Sequence, residues 1–167
     1  MSFFVYGVNV PVISTLSSLR RVRHMSVSLP KRIIVAVDGS EPSLKAVRYA
    51  SKLAKLNGSR LTALSVVLLP AFASPRTLET LRSESSNRAG EISEKTKAIA
   101  QAENVDCETK IVETTHSVVE KIIEVSEREN ADLIVVGSRG TTMGKLMLGS
   151  IAAGTANLAH CPVLVVR

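Results

Sequence analysis

Aromatic side chains are nearly missing from this chain of 167 residues: it has no tryptophan, three phenylalanines and two tyrosines, and Phe3, Phe4 and Tyr6 crowd its first six positions. The core is therefore expected to be aliphatic, and a sheet that stacks single-stranded nucleic acid on exposed rings is excluded. Only two cysteines occur, Cys107 and Cys161, without C-x-x-C spacing. Both read as small buried hydrophobes, and nothing argues for an oxidising compartment, so a cytoplasmic location is expected. No apolar run approaches the roughly 18 residues of a membrane span. In residues 1 to 24 the apolar stretch precedes Arg20, Arg21 and Arg23, the reverse of a secretory signal. No membrane partner is expected. The three histidines, His24, His116 and His160, are scattered, and none has a partner at metal-ligand spacing.

The net charge of +6 is unevenly placed. The first 24 residues carry three arginines and no acid, which leaves 18 basic and 15 acidic residues for the rest. A nucleic-acid partner is therefore not expected from the high pI. Residues 1–30 are read as an N-terminal extension, expected to be disordered, with Met25 standing just before the globular pattern. Residues 31–167 form one domain.

From Lys31 onward, strands and helices alternate. Ile33 to Val37 is a β-branched run, followed by Asp38-Gly39-Ser40 and a helix with Pro42 in its first turn, capped by Ser40 and ended at Asn57-Gly58. Leu61 to Leu69 is a strand, Pro70 to Pro75 a loop, and Thr77 to Glu103 a long helix with Glu91 and Lys95 spaced for an ion pair. Cys107 to Val112 is an edge strand, because charges alternate along it. Ser117 and Glu120 match a capping box before an apolar helical face. Ala131 to Val136, Ser150 to Ala159 and Pro162 to Val166 complete the series as strand, helix and strand. Apolar runs without alternation indicate α/β architecture: a single open five-stranded parallel sheet with helices on both faces.

In such sheets ligands bind beyond the carboxyl ends of the strands, where strand order reverses. Of the three aspartates, Asp106 and Asp132 lie at strand starts, and only Asp38 follows a strand's carboxyl end. It is poised for a hydroxyl, a base or a metal, or else serves as a local cap. The other feature at a carboxyl end is Gly137 to Gly140, running on to the helix that opens at Gly149-Ser150. Glycines and a helix N-terminus can present unpaired N–H groups to an anion such as phosphate; they can equally make tight turns. Arg139 and Lys145 could add charge there. Several enzyme classes lack their motifs. Only Gly39 follows the first strand where a dehydrogenase needs G-x-G-x-x-G; Gly140 to Leu146 is not a P-loop; no G-x-S-x-G occurs; and no general base is recognisable.

Ile33 to Ser40 (IIVAVDGS), Ala131 to Gly140 (ADLIVVGSRG), Leu148-Gly-Ser150 and Cys161 to Val166 together resemble the universal stress protein domain, over roughly Lys31 to Arg167. The resemblance implies strand order 3-2-1-4-5, the topology of the adenine nucleotide alpha hydrolase-like folds. It also implies a homodimer through the last strand, a role in stress response or regulation and, in one branch, bound ATP with Mg²⁺. In that branch the nucleotide-binding positions correspond to Asp38, Val66, Gly137, Gly140, Gly149 and Ser150, with Arg139 beside them; no residue is implied as catalytic, so at most slow ATP hydrolysis is expected. The family spacing places nine residues between the second and third glycines, and this chain has eight between Gly140 and Gly149. Leu146, Met147 and Leu148 are expected to stay packed, so the missing residue falls before Lys145, where Gly144 absorbs the turn. A dimeric interaction module of the same fold, without nucleotide, is the alternative.

Overall fold

The computed structural model describes residues 29–138 and 148–167. The elements are β1 (Arg32–Ala36), α1 (Glu41–Asn57), β2 (Arg60–Leu68), α2 (Pro75–Ala102), β3 (Cys107–Thr114), α3 (Val118–Arg128), β4 (Leu133–Gly137), α4 (Ser150–Leu158) and β5 (Val163–Val166). They build one parallel sheet of order β3-β2-β1-β4-β5. The expected architecture and strand order are both present, and β1 pairs with β2 on one side and β4 on the other.

Alternation along the strands divides the core into two layers. Ile33, Val35 and Val135 point to the face covered by α1 and α2, where they meet Val47, Ala50, Leu61 and Ile92. Ile34, Ile134 and Val136 point to the other face and meet Ile122, Val125 and Ala152 of α3 and α4. Both layers are almost wholly aliphatic. The helices that cover them begin beyond the carboxyl ends of the preceding strands, as crossovers between parallel strands do.

Local chemistry sets the boundaries. Ser40 caps α1 by accepting from the Ser43 N–H, and Gly58 ends it in the left-handed region at φ 62°. Ser117 caps α3 by accepting from the Glu120 N–H at 3.3 Å. The start of α2 was expected at Thr77 but lies at Pro75, because Ser74 caps the helix and Pro75 suits its first turn. The ion pair on its solvated face joins Glu94 and Lys97 at 3.2 Å, in place of the expected Glu91 and Lys95. Strand β3 runs two residues beyond Val112 and is an edge. Cys107 is buried there, while Ile111 is 45% exposed.

Asp132 sits at the amino end of the sheet, as expected. Its Oδ2 accepts from the Lys31 and Arg32 N–H groups, both at 2.8 Å, and ties the entry of β1 to β4. Partial burial pushes its carboxyl up, but those two N–H groups and the nearby Arg32 charge hold it below the ordinary carboxylate range.

Candidate functional site

Six elements, β1, α1, β2, α3, β4 and α4, converge at the carboxyl end of the sheet. A cavity of about 80 Å³ lies there, on the face of α3 and α4. Leu64, Val66, Val118, Ile122, Val136 and Ile151 give it apolar walls, and Asp38, Ser40 and Ser43 stand at its polar rim, with Gly137 and Gly149 beside them. Its volume is below the roughly 150 Å³ in which a benzene ring is enclosed. A larger ring system would enter with one edge and leave the rest in the open mouth.

The rim is built by the turn between β1 and α1. Gly39 takes φ +81°, and a Cβ there would meet Ile92 Cγ1 of α2 at 2.9 Å, so the turn passes tightly over α2. This turn lets the Asp38 carboxylate fold back on Ser40: Oδ1 accepts from the Ser40 N–H at 3.0 Å and also from the Ser40 hydroxyl. Ser40 Oγ in turn accepts from the Ser43 N–H at 3.4 Å. Asp38 is thus not itself the helix cap; it fixes the residue that is. One edge of its carboxylate serves the turn, and the residue as a whole borders the cavity.

Gly137 is held in place by packing. An added Cβ would lie 2.5 Å from Pro42 C, 2.6 Å from Pro42 O and 2.7 Å from Ser43 N. The end of β4 therefore runs directly against the first turn of α1, and this close approach brings the Asp38 turn and the β4 terminus to one cavity. Opposite them, α4 opens at Gly149, which provides no side-chain cap. The first bond of that helix runs from the Ala153 N–H to the Gly149 carbonyl at 2.9 Å, so the N–H groups ahead of it have no partner inside the helix.

Of the expected site residues, Asp38, Val66, Gly137 and Gly149 border the cavity. Ser150 is the exposed first residue of α4 and is not part of the lining. Arg139, Gly140, Gly144 and Lys145, together with Leu146 and Met147, lie outside the described residues. Leu148, expected to pack, is 43% exposed. Sequence reasoning missed Ser40 and Ser43 as rim residues, and Val118, Ile122 and Ile151 as walls. Only the serines carried a signal, since both belong to the turn that follows Asp38.

Other titratable groups lie away from this cavity. Burial pushes the Cys107 thiol up to about 11, and Cys161 is raised by the same cause. Both thiols are free. The His160 Nε2 lies 3.2 Å from the Ala131 carbonyl, near the amino end of β4. Among the described residues no group of three His, Cys, Asp or Glu side chains is placed to hold a metal, and no helix is long and apolar enough to cross a membrane.

Residues 30–167 match the family model described as the universal stress protein family. A universal stress protein of Methanocaldococcus jannaschii is 35% identical over 147 residues, covering 84% of each chain. The universal stress protein UspA from Lactobacillus plantarum has the same fold at a TM-score of 0.70 and 26% identity, over 82% of this chain and 97% of that one. The fold is also shared with a universal stress protein from Archaeoglobus fulgidus in complex with dAMP, at a TM-score of 0.63 and 22% identity, over 83% of this chain and 99% of that one.

Proposed function

The chain belongs to the universal stress protein family, and from that premise we propose that the cavity at the carboxyl ends of β1 and β4 receives an adenine nucleotide, ATP with Mg²⁺. The observation that carries this reading is the arrangement of the cavity: an apolar slot for a ring, a carboxylate at its rim, and an uncapped helix start across from it. The base enters between Val66, Val118 and Ile151. Asp38 takes a ribose hydroxyl or a base N–H. The phosphates lie at the start of α4, where unpaired N–H groups and the positive end of the helix dipole favour anions. Gly140, Arg139 and Ser150 extend that phosphate contact, and the loop of eight residues makes it weaker than the contact to the base.

The donor set fits this ligand on its apolar and hydroxyl sides. No described cluster of carboxylates offers Mg²⁺ a protein cage, so the ion would arrive on the phosphate oxygens that usually hold it. The Archaeoglobus fulgidus relative bound to dAMP supports the general class of ligand. Binding without an evident catalytic base suits a sensor or regulator in a stress response more than an enzyme with a turnover cycle. It is paired with a homodimer through β5, a four-residue edge strand whose Val163, Leu164 and Val165 remain partly exposed. A cytoplasmic location and an N-terminal extension over residues 1–30 complete the proposal.

Mass spectrometry of small molecules released from freshly purified protein tests the reading. An adenine nucleotide in stoichiometric amount is expected. Release of none, together with no rise in melting temperature in millimolar ATP and Mg²⁺, would favour the interaction module without nucleotide.

A further inference from the structure

The exposed side of α1 carries charge of one sign. Lys45, Arg48, Lys52 and Lys55 fall at i, i+3, i+7 and i+10, and Tyr49 and Leu56 lie in the same row. At 3.6 residues per turn all six occupy an arc of roughly 120° and span about 16 Å along the axis. Tyr49 is 58% exposed and Leu56 79%. The single acid on this side, Glu41, pairs with Lys45 at 3.5 Å. Among the described residues Arg48, Lys52 and Lys55 have no acidic partner within ion-pair distance.

The remaining helices do not repeat this pattern. The exposed face of α2 mixes both signs, and α4 has no charged residue. On α3 the acids Glu120, Glu124 and Glu127 are exposed, Lys121 pairs with Glu124, and Arg128 lies at the end. Helices α1 and α3 cover opposite faces of the sheet. Helix α1 thus has a net charge of +3, from four basic residues and one acid, and α3 of −1, from three acids and two basic residues.

We infer that the α1 face docks on an anionic phospholipid surface. Three features favour this partner. The row is convex, so it offers no groove to a partner helix, whereas a fluid sheet of headgroups needs no shape match. Two apolar residues interleave with the cations, which suits the boundary between headgroups and acyl chains, where Tyr is at home and long basic side chains reach outward to phosphate. Helix α3, with a net charge of −1, offers the same surface no attraction, so of the two helices α1 is the one drawn to it. A second copy of the chain could set its α3 acids against these cations, but that contact would leave Tyr49 and Leu56 against carboxylates. A duplex nucleic acid gives them no apolar counterpart either. The absence of a membrane-spanning stretch bears on insertion and not on such surface docking.

The test is sedimentation of the full chain with vesicles of phosphatidylcholine alone, or containing roughly a third phosphatidylserine. Binding is expected only to the second, falling steeply as salt is raised. The triple variant Arg48→Glu, Lys52→Glu, Lys55→Glu should lose at least about a hundredfold in apparent affinity. Its melting temperature should stay unchanged, since these side chains are exposed. Tyr49→Ser with Leu56→Ser keeps the charge and should weaken binding about tenfold, at one or two lost apolar contacts. No binding to the anionic vesicles, or equal binding by the charge-reversed variant, overturns the inference. So does retention of duplex DNA with vesicles ignored, or sedimentation without vesicles that Glu120→Lys and Glu124→Lys suppress; the latter would mark association between copies.

Discussion

Replacing Gly137 with alanine adds one methyl group at the point where β4 meets α1. That Cβ would sit 2.5 to 2.7 Å from three backbone atoms of Pro42 and Ser43. Carbon contacts settle near 3.5 to 4.0 Å, so α1 and β4 must part by about 1 Å. The atoms in the way belong to a helix backbone and cannot rotate aside. The cost should therefore lie at the upper end of the range for overpacking, about 3 kcal/mol. For a domain of this size that lowers the melting midpoint by about 8 to 10 °C. Two other glycines calibrate the effect. A Cβ on Gly90, inside α2, meets nothing within 4 Å, and Gly90→Ala should raise the midpoint by about 2 to 3 °C through helix propensity alone. On Gly154 the Cβ would meet Val119 Cγ2 at 2.9 Å, a side chain that can shift, so Gly154→Ala should fall between the two. Thermal unfolding by circular dichroism without ligand ranks the three variants. If Gly137→Ala melts within about 2 °C of the wild type, the packing argument fails, and Gly137 is a glycine for the sake of the ligand alone.

Glu129 is held below the ordinary carboxylate range chiefly by Lys110, whose Nζ donates to it at 2.7 Å. A lowered carboxyl stabilises the fold above its unfolded pKa and loses that contribution as pH falls through its folded one. Glu129→Gln should thus cost about 0.5 to 1 kcal/mol at pH 7, and the difference from wild type should vanish in acid, below the pKa of the native carboxyl. Val165 packs on the α3 and α4 side of the edge strand and Leu164 on the α1 side. If two copies meet along β5, Val165→Lys should shift sedimentation at micromolar concentration from dimer to monomer, and a monomeric wild type would remove the dimer altogether. A chain starting at Met25 should melt at the same temperature as the full chain, and a fall of more than a few degrees would mean that the preceding segment packs on the domain.

Architecture was legible in this chain because its signals are local and redundant. β-branched runs without alternation mark strands covered on both faces, and Ser40, Gly58 and Ser117 mark helix ends with side-chain or backbone chemistry of their own. Ser74 was overlooked beside a proline-rich loop, and α2 accordingly begins two residues early. Asp38 was found by elimination, as the one aspartate at the right end of a strand. The cavity walls were not found. Val118 and Ile122 have the same helical spacing as their neighbours in the core, and nothing in a periodic pattern says where a packed layer stops short of closing. Gly137 shows the converse. Its place in a glycine motif suggested contact with phosphate, while the structure gives it a packing role that no sequence pattern states, because the colliding atoms of Pro42 and Ser43 are about 95 positions away.

Titration calorimetry of ATP, with Mg²⁺, and of adenosine into the wild type and Asp38→Asn tests the central claim most directly. Asparagine keeps a carbonyl oxygen for the Ser40 N–H and so preserves the turn, which alanine would not. The wild type should bind both ligands, ATP more tightly, and at 100 times Kd should gain about 2.7 kcal/mol, or about 5 °C or more in melting midpoint. Asp38→Asn should weaken adenosine and ATP by the same factor while melting normally without ligand. Absence of heat with either ligand in the wild type, or unchanged affinity in the variant, would contradict a nucleotide site organised around Asp38.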